Sequence, residues 1–434
     1  MSTGAWSGRG ACGRGKVLTG RAAIGRLKHT VPGLEVDLKR YLVLLAAVLW
    51  VSHAERAPAG DQVSSPWPDL KVKVGGQLHL WAIPFDQNDF EQNDPIVYGD
   101  PYLDEGFSVR RARLIVRGSL SESIDFGLMM GYYAGFTGAR DAALSPELSE
   151  AYLDFHKGRM PHLQVGVDKV PFGGQYLSSS KSLLFVQRSV VAEELSYGRD
   201  VGVRLYDTYG PEESSGFGFQ SFHWAIGAHN GSGSILRDDN GIGDVPDVTD
   251  TITNPFGLVH TVRIGVDFGT APAPAGESNL GERSFQDVTI RLAANVGANR
   301  ELESRNVGYG ADASVFWGPA SFQAEALWRT TFPQFTDEGL PDYLAEVPAF
   351  GWYVQAGYHV IPDTLQLAVR YEVFDGNTYY DDADDLEYYL FGLNYYPAGS
   401  DSLKLQLDYV RRIESSDLIL VHNDGLYLNL ATYF

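Results

Sequence analysis

Gly425-Leu-Tyr-Leu-Asn-Leu-Ala-Thr-Tyr-Phe434, the last ten residues of the chain, alternates in side-chain character with a period of two and stops on an aromatic. Successive side chains of a strand point to opposite faces, so Leu426, Leu428, Leu430 and Phe434 share one face, while Tyr427, Asn429, Ala431 and Tyr433 share the other. A strand with lipid on one side and water on the other has this pattern, and so does a wall of a soluble sandwich. Repetition separates the two. Stretches of nine to fourteen residues with this alternation recur along the chain, with aromatics near their ends and turn residues between them.

Working back from the C-terminus, the alternation predicts sixteen strands, at 70–81, 107–120, 124–135, 148–156, 162–170, 199–207, 217–228, 258–268, 285–296, 305–317, 320–330, 350–360, 364–374, 386–396, 402–412 and 423–434. Tight connections at 121–123, 158–161, 318–319, 361–363 and 397–401 mostly alternate with long ones at 82–106, 171–198, 229–257, 331–349 and 375–385. Short periplasmic turns and long external loops are the habit of a transmembrane antiparallel β-barrel, and an even number of crossings returns Phe434 to the periplasmic side. A soluble propeller or β-helix would show a signature repeat of roughly 40–50 residues or a short solenoid period, and neither is present.

Composition narrows the function classes. No domain boundary shows in the 434 residues, and the mean hydropathy of −0.16 leaves no long apolar run of the kind a helical membrane protein needs. Barrel strands hide their lipid face in such an average. With 55 acidic residues against 34 Lys and Arg, nucleic acid is not an expected partner. The one cysteine, Cys12, falls in the leader, which removes thiol nucleophiles, disulfides and thiolate metal sites from the mature chain.

That leader reads as a signal peptide over 36–54: a basic Asp37-Leu-Lys-Arg40, an apolar core at 41–51, and Ser52-His53-Ala54 as a small-x-small site cut after Ala54. Eleven apolar residues are too few to span a bilayer. Residues 1–35 are Gly- and Arg-rich without apolar period, and no Met lies between Met1 and Met129. They read as a non-native extension ahead of a start near Val36. Residues 55–69 are then a periplasmic N-terminal segment, and 70–434 the barrel.

Several segments together resemble one family. Phe107-Ser-Val-Arg-Arg-Ala-Arg-Leu-Ile-Val-Arg-Gly118, Gly166-Val-Asp-Lys-Val-Pro-Phe-Gly-Gly174, Gly198-Arg-Asp-Val-Gly-Val-Arg-Leu205, Ala225-Ile-Gly-Ala-His-Asn-Gly231 and Leu367-Ala-Val-Arg-Tyr-Glu372 are similar to the phosphate-selective porin O and P family of Gram-negative outer membranes. Leu403-Lys-Leu-Gln-Leu-Asp-Tyr-Val410 and the terminal Phe434 add to the likeness, which runs from about Leu70 to the end. The resemblance implies an outer-membrane diffusion channel for small hydrophilic solutes, anions or phosphate among them. It also implies a homotrimer of sixteen-stranded barrels, each with its third external loop folded into the lumen.

Strand alternation gives the candidate pore lining. With Ala112, Leu114 and Val116 towards lipid, Arg111, Arg113 and Arg117 face inward; the same bookkeeping turns Arg204, Arg263, Arg291, Arg329, Arg370 and Lys404 inward. Charges on the lipid face cost about 2–4 kcal/mol at mid-depth, so inward placement is required in any case. Arg also presents a fixed fork of donors that matches phosphate oxygens. Inward acids, Asp168, Asp200, Asp267, Glu325, Glu372 and Asp408, could neutralise these bases, leaving internal ion pairing, general anion preference and phosphate specificity all open.

Segment 171–198 is too apolar for a free loop, since Leu183, Leu184, Phe185, Val186, Val190 and Val191 need cover. Folding back against the inner wall supplies it, and a lid over the mouth is the other reading. The resemblance favours the first and would bring Lys181, Arg188 and the nearby Lys169 to the constriction. Acidic runs at 86–105 and 381–385 are either solvated faces or divalent-cation bridges to lipopolysaccharide phosphates. A barrel enzyme of phospholipase type would need a Ser, a His and an orienting partner on one lipid-facing patch. His223 and His359 are the candidate bases, no Ser is read at matching strand depth on such a patch, and Gly-x-Ser-x-Gly is absent. A structural or adhesive barrel would carry much longer loops. No catalytic residue, metal or cofactor is expected.

Overall fold

A computed structural model describes residues 70–86, 106–133, 145–211, 216–231, 258–274, 276–281, 283–300, 304–333, 346–379, 385–416 and 419–434. The predicted leader and most of both acidic runs, 87–105 and 381–384, lie outside the described residues. The first eight strands are β1 (Lys71–Asp86), β2 (Gly106–Ser121), β3 (Ile124–Tyr133), β4 (Ser145–Phe155), β5 (His162–Lys169), β6 (Arg199–Tyr209), β7 (Gly218–His229) and β8 (Val259–Gly269). They continue as β9 (Val288–Arg300), β10 (Ser304–Trp317), β11 (Ala320–Pro333), β12 (Val347–Ile361), β13 (Leu365–Asp375), β14 (Leu386–Tyr395), β15 (Leu403–Ser416) and β16 (Ile419–Tyr433). All pair antiparallel with their chain neighbours, and β1 pairs with β16 to close the barrel.

The observed strands match the alternating segments within a few residues, and the differences lie mainly at the loop end. There β1 runs on to Asp86, β15 to Ser416, and β16 begins at Ile419. Leu428, Leu430 and Phe434 are exposed on the outer face, whereas Tyr427, Asn429 and Ala431 are buried inside. At the seam the amide of Gly76 donates to the Phe434 carbonyl at 2.8 Å and the Phe434 amide returns to Gly76 at 3.2 Å. The Phe434 ring lies across Gly76 so closely that a Cβ there would sit 2.3 Å from its Cζ.

Two clusters of buried apolar side chains form where segment 170–198 meets the inward face. This segment carries two short helices, α1 (Gly174–Leu177) and α2 (Val190–Leu195), with Ser189 capping α2 by accepting from the Val191 amide at 3.1 Å. Leu184, Phe185 and Val186 cluster with Trp81, Leu390, Val410 and Tyr427 of the wall. Phe172, Val191, Leu195 and Tyr197 cluster with Val259, Leu327 and Tyr353. Of the apolar residues that required cover in the sequence, Leu183, Leu184, Phe185, Val186 and Val191 are buried and Val190 is partly so.

Turn-end connections are short with one exception. Residues 270–287, between β8 and β9, form a longer excursion in which Glu277, Ser278 and Asn279 are buried.

Candidate functional site

Each strand that alternates apolar-out must place its polar residues inside, where water is limited and every charge seeks a partner. Among the described residues, Arg263, Arg291, Arg204, Arg188 and Arg117 pair with carboxylates. Arg263 forks onto both oxygens of Asp312 at 2.7 and 3.0 Å, and Arg291 onto those of Asp267 at 2.9 and 3.1 Å, its register partner on β8. Arg204 reaches Asp168 at 3.1 Å, Arg188 reaches Glu193 at 3.1 Å, and Arg117 reaches Glu150 at 2.7 Å. The last pair bridges β2 and β4 across β3, where the Tyr152 ring fills the space over Gly127.

Three further bases tie backbone carbonyls of segment 170–198. Lys169 donates to Leu177 and Ser178 at 3.0 and 2.8 Å, Lys404 to Leu183 at 2.8 Å, and Arg370 to Gln187 at 3.2 Å. Arg370 also stacks on Phe185, 4.4 Å from the ring centre. Lys404 and Arg370 retain only 1% and 3% exposure, so they are struts and not rungs open to solute. Arg329 lies beside Tyr197, whose hydroxyl is pushed up to about 12 by burial.

Arg111 and Arg113 stand buried on β2, near the seam. Next to them His79 and Gln77 bond the Tyr433 hydroxyl at 2.6 and 3.2 Å, and Gln77 donates to Ser180 at 3.1 Å. Lys181 sits 5.4 Å over the Tyr433 ring. Arg199, absent from the candidates, lies 3.6 Å from Glu150 on the other oxygen from Arg117. It opens β6, where alternation has not yet set in, and only its neighbour Arg204 carries the inward signal.

The acids have a second job that alternation does not reveal: they accept backbone N–H groups of segment 170–198. Glu325 accepts from Gly174 and Gln175 at 2.5 and 3.2 Å, Glu372 from Val190 at 3.1 Å, and Asp408 from Val186 at 2.6 Å. Gly173 enters α1 with φ of 77°, a conformation that favours glycine, and its amide donates to Asn295 at 2.8 Å. Asp200 accepts from Gly231 at 2.5 Å at the start of the next loop.

Among the described residues, two loop carboxyls have shifted acidities. Burial alone would raise the Glu193 carboxyl, but Arg188, with Arg111 behind it, holds it below the usual range. Asp401, beyond β14, is pushed up by burial against the pull of Lys404 and of the Ser278 hydroxyl, which donates to it at 2.9 Å. His359, the candidate base of an enzyme reading, bonds the Ser278 carbonyl through Nε2 at 2.8 Å. No group of three or more His, Cys, Asp or Glu among the described residues is arranged to hold a metal.

The family model for phosphate-selective porin O and P matches residues 86–417. A comparison with curated proteins returned no match. Among solved structures, the outer membrane channel DcaP of Acinetobacter baumannii is 13% identical, with 87% of this chain and 100% of that one covered at a TM-score of 0.47. OmpT of Vibrio cholerae, expressed in the outer membrane, is 11% identical over 87% and 100% at 0.47, and Salmonella typhi OmpF is 10% identical over 84% and 98% at 0.48.

Proposed function

The chain belongs to the phosphate-selective porin O and P family, and from that premise we propose how its outer-membrane diffusion channel is narrowed and charged. Segment 170–198 is the constriction, a third external loop held in the lumen. Solute passes between its free side and the wall from β2 to β7, while its other side is sealed against β8 to β16 and β1. One observation carries this reading: the segment's hydrogen bonds and apolar contacts reach β8, β9, β11, β12, β13, β14, β15, β16 and, across the seam, β1, and the wall from β2 to β7 lies opposite them.

The bases then divide by role. Lys169, Arg263, Arg291, Arg329, Arg370 and Lys404 hold wall and constriction together, whereas Arg111, Arg113, Arg117, Lys181, Arg188 and Arg204 stand towards the passage. Pairing of Arg117, Arg188 and Arg204 with carboxylates leaves a polarised passage with modest anion preference, phosphate included. Small hydrophilic solutes are the partners, no reaction is catalysed, and the channel works as a homotrimer seated among lipopolysaccharide. Export uses the 36–54 leader, and the mature chain begins at Glu55. The test is planar-bilayer recording in a KCl gradient: a chloride-over-potassium reversal potential with partial block by phosphate is expected, and a cation-selective potential would overturn the anion preference.

A further inference from the structure

The β8–β9 connection has no place in that account, yet it makes some of the most specific contacts in the molecule. We propose that it is a second constriction element, which enters the barrel from the turn end and meets segment 170–198 tip to tip, with Glu277 and Ser278 as positioning residues for that junction. The inference rests on the channel reading.

The junction is built from polar bonds on both sides. The Ser278 amide donates to the Ser182 carbonyl at 2.8 Å, and Glu277 accepts the Leu184 amide at 3.1 Å. On the wall side Gln355 of β12 donates to the same Glu277 oxygen at 2.9 Å, and His359 and Gln366 hold the Ser278 carbonyl at 2.8 and 3.1 Å. Gln355, His359 and Gln366 all lie on the buried inner face of β12 and β13. A connection bonded to them is therefore inside the ring and not beneath it.

Its descent is anchored to three neighbouring turns. Asn279, at φ of 48°, donates its amide to the carbonyls of Gly318 and Ala320 at 3.0 and 3.3 Å. The Gly281 amide donates to Asp363 at 2.7 Å, and Ser278 donates to Asp401. A buried side chain with two donors used and a backbone in the left-handed region that Asn tolerates is a built conformation. Gly276 is needed where it stands, since a Cβ there would lie 2.2 Å from that of Ser182. The narrowest section is thus set from both ends, and the 182–186 stretch is clamped between wall and connection.

Two experiments decide it. First, residues 272–283 are replaced by a Gly-Ser-Gly link, and single-channel conductance is read in about 1 M KCl, where a Debye length of roughly 3 Å suppresses charge effects. With heat-modifiable migration as proof of a folded barrel, the expected result is a conductance about twofold or more above wild type, because a lining element is gone. Equal conductance overturns the inference, whereas a wild type that does not conduct sinks the channel reading instead. Second, Ser182→Cys with Ser278→Cys is made in a Cys12→Ser background, which removes the only native thiol. The bond between the Ser278 amide and the Ser182 carbonyl, at 2.8 Å, holds the two residues side by side. Oxidation should cross-link them in the outer membrane; failure to cross-link a folded barrel overturns the junction even if the shortened variant does not fold.

Discussion

Arg111 and Arg113 illustrate what a single strand can and cannot disclose. Their inward direction follows from Ala112 and Leu114 beside them, and both are buried on the inner face. What alternation leaves out is distance to neighbours, because register and depth belong to pairs of strands. Arg291 meeting Asp267 and Arg117 meeting Glu150 across an intervening strand could not be read for that reason. Replacing Arg111 and Arg113 together with Ala should lower the chloride-to-potassium permeability ratio at low salt. Two cations in a narrow, low-dielectric passage favour anions by at most about 1–2 kcal/mol, less where carboxylates such as Glu193 offset them, and the difference should shrink near 1 M salt. An unmoved reversal potential at low salt would discard this role. Asp401 gives a pH-dependent test. Its carboxyl is raised in the folded chain, so ionising it opposes folding, and that penalty is lost as pH falls through the folded value towards the unfolded one. Asp401→Asn should therefore raise the temperature of heat-induced migration change at neutral pH, and the gain should shrink progressively as the pH is lowered below the ordinary carboxyl range. A gain that persists in acid would point to another cause.

At the scale of the element, segment 170–198 was legible by its demand for cover but not by the places that supply it. Those places are glycines. A Cβ at Gly392 would lie 3.0 Å from Phe185, one at Gly351 2.8 Å from Val191, and one at Gly297 2.4 Å from Tyr197. A glycine inside a strand pattern announces close approach without saying of what. Gly392→Leu is expected to displace Phe185, destabilise the barrel by about 1–3 kcal/mol as overpacking does, and change single-channel conductance. Stability and conductance both equal to wild type would show that Phe185 is not seated there. The β8–β9 connection was less legible still. Its Gly-, Pro- and Ser-rich run reads as solvated loop, and a polar segment satisfied by a polar interior leaves no hydrophobic signature.

For the whole molecule, the sixteen strands and their lipid face could be read because outer and inner solvents differ along every strand. The acidic runs and leader lie outside the described residues, and assembly involves surfaces that one chain does not reveal. A trimer on native gels that resists detergent until boiled is the expected behaviour. Boiled and unboiled samples migrating alike would contradict the closed ring, and a monomer by light scattering would contradict the trimer alone.

The seam between β1 and β16 bears on how such a ring comes to exist. Every other strand pairs with its neighbour in the chain, so those hairpins can zip in sequence. The seam alone joins residues from opposite ends of the sheet and waits for the last strand to arrive. Until then the growing sheet has two open edges, each a template for pairing with another chain. Gly76→Val, which has no room under the Phe434 ring, should therefore slow closure more than it weakens the finished barrel. In refolding into detergent it should show as a longer half-time and more aggregate at an almost unchanged melting point. The ring of Phe434 thus acts on the clock of assembly, as the tab that lets an otherwise self-templating ribbon stop growing.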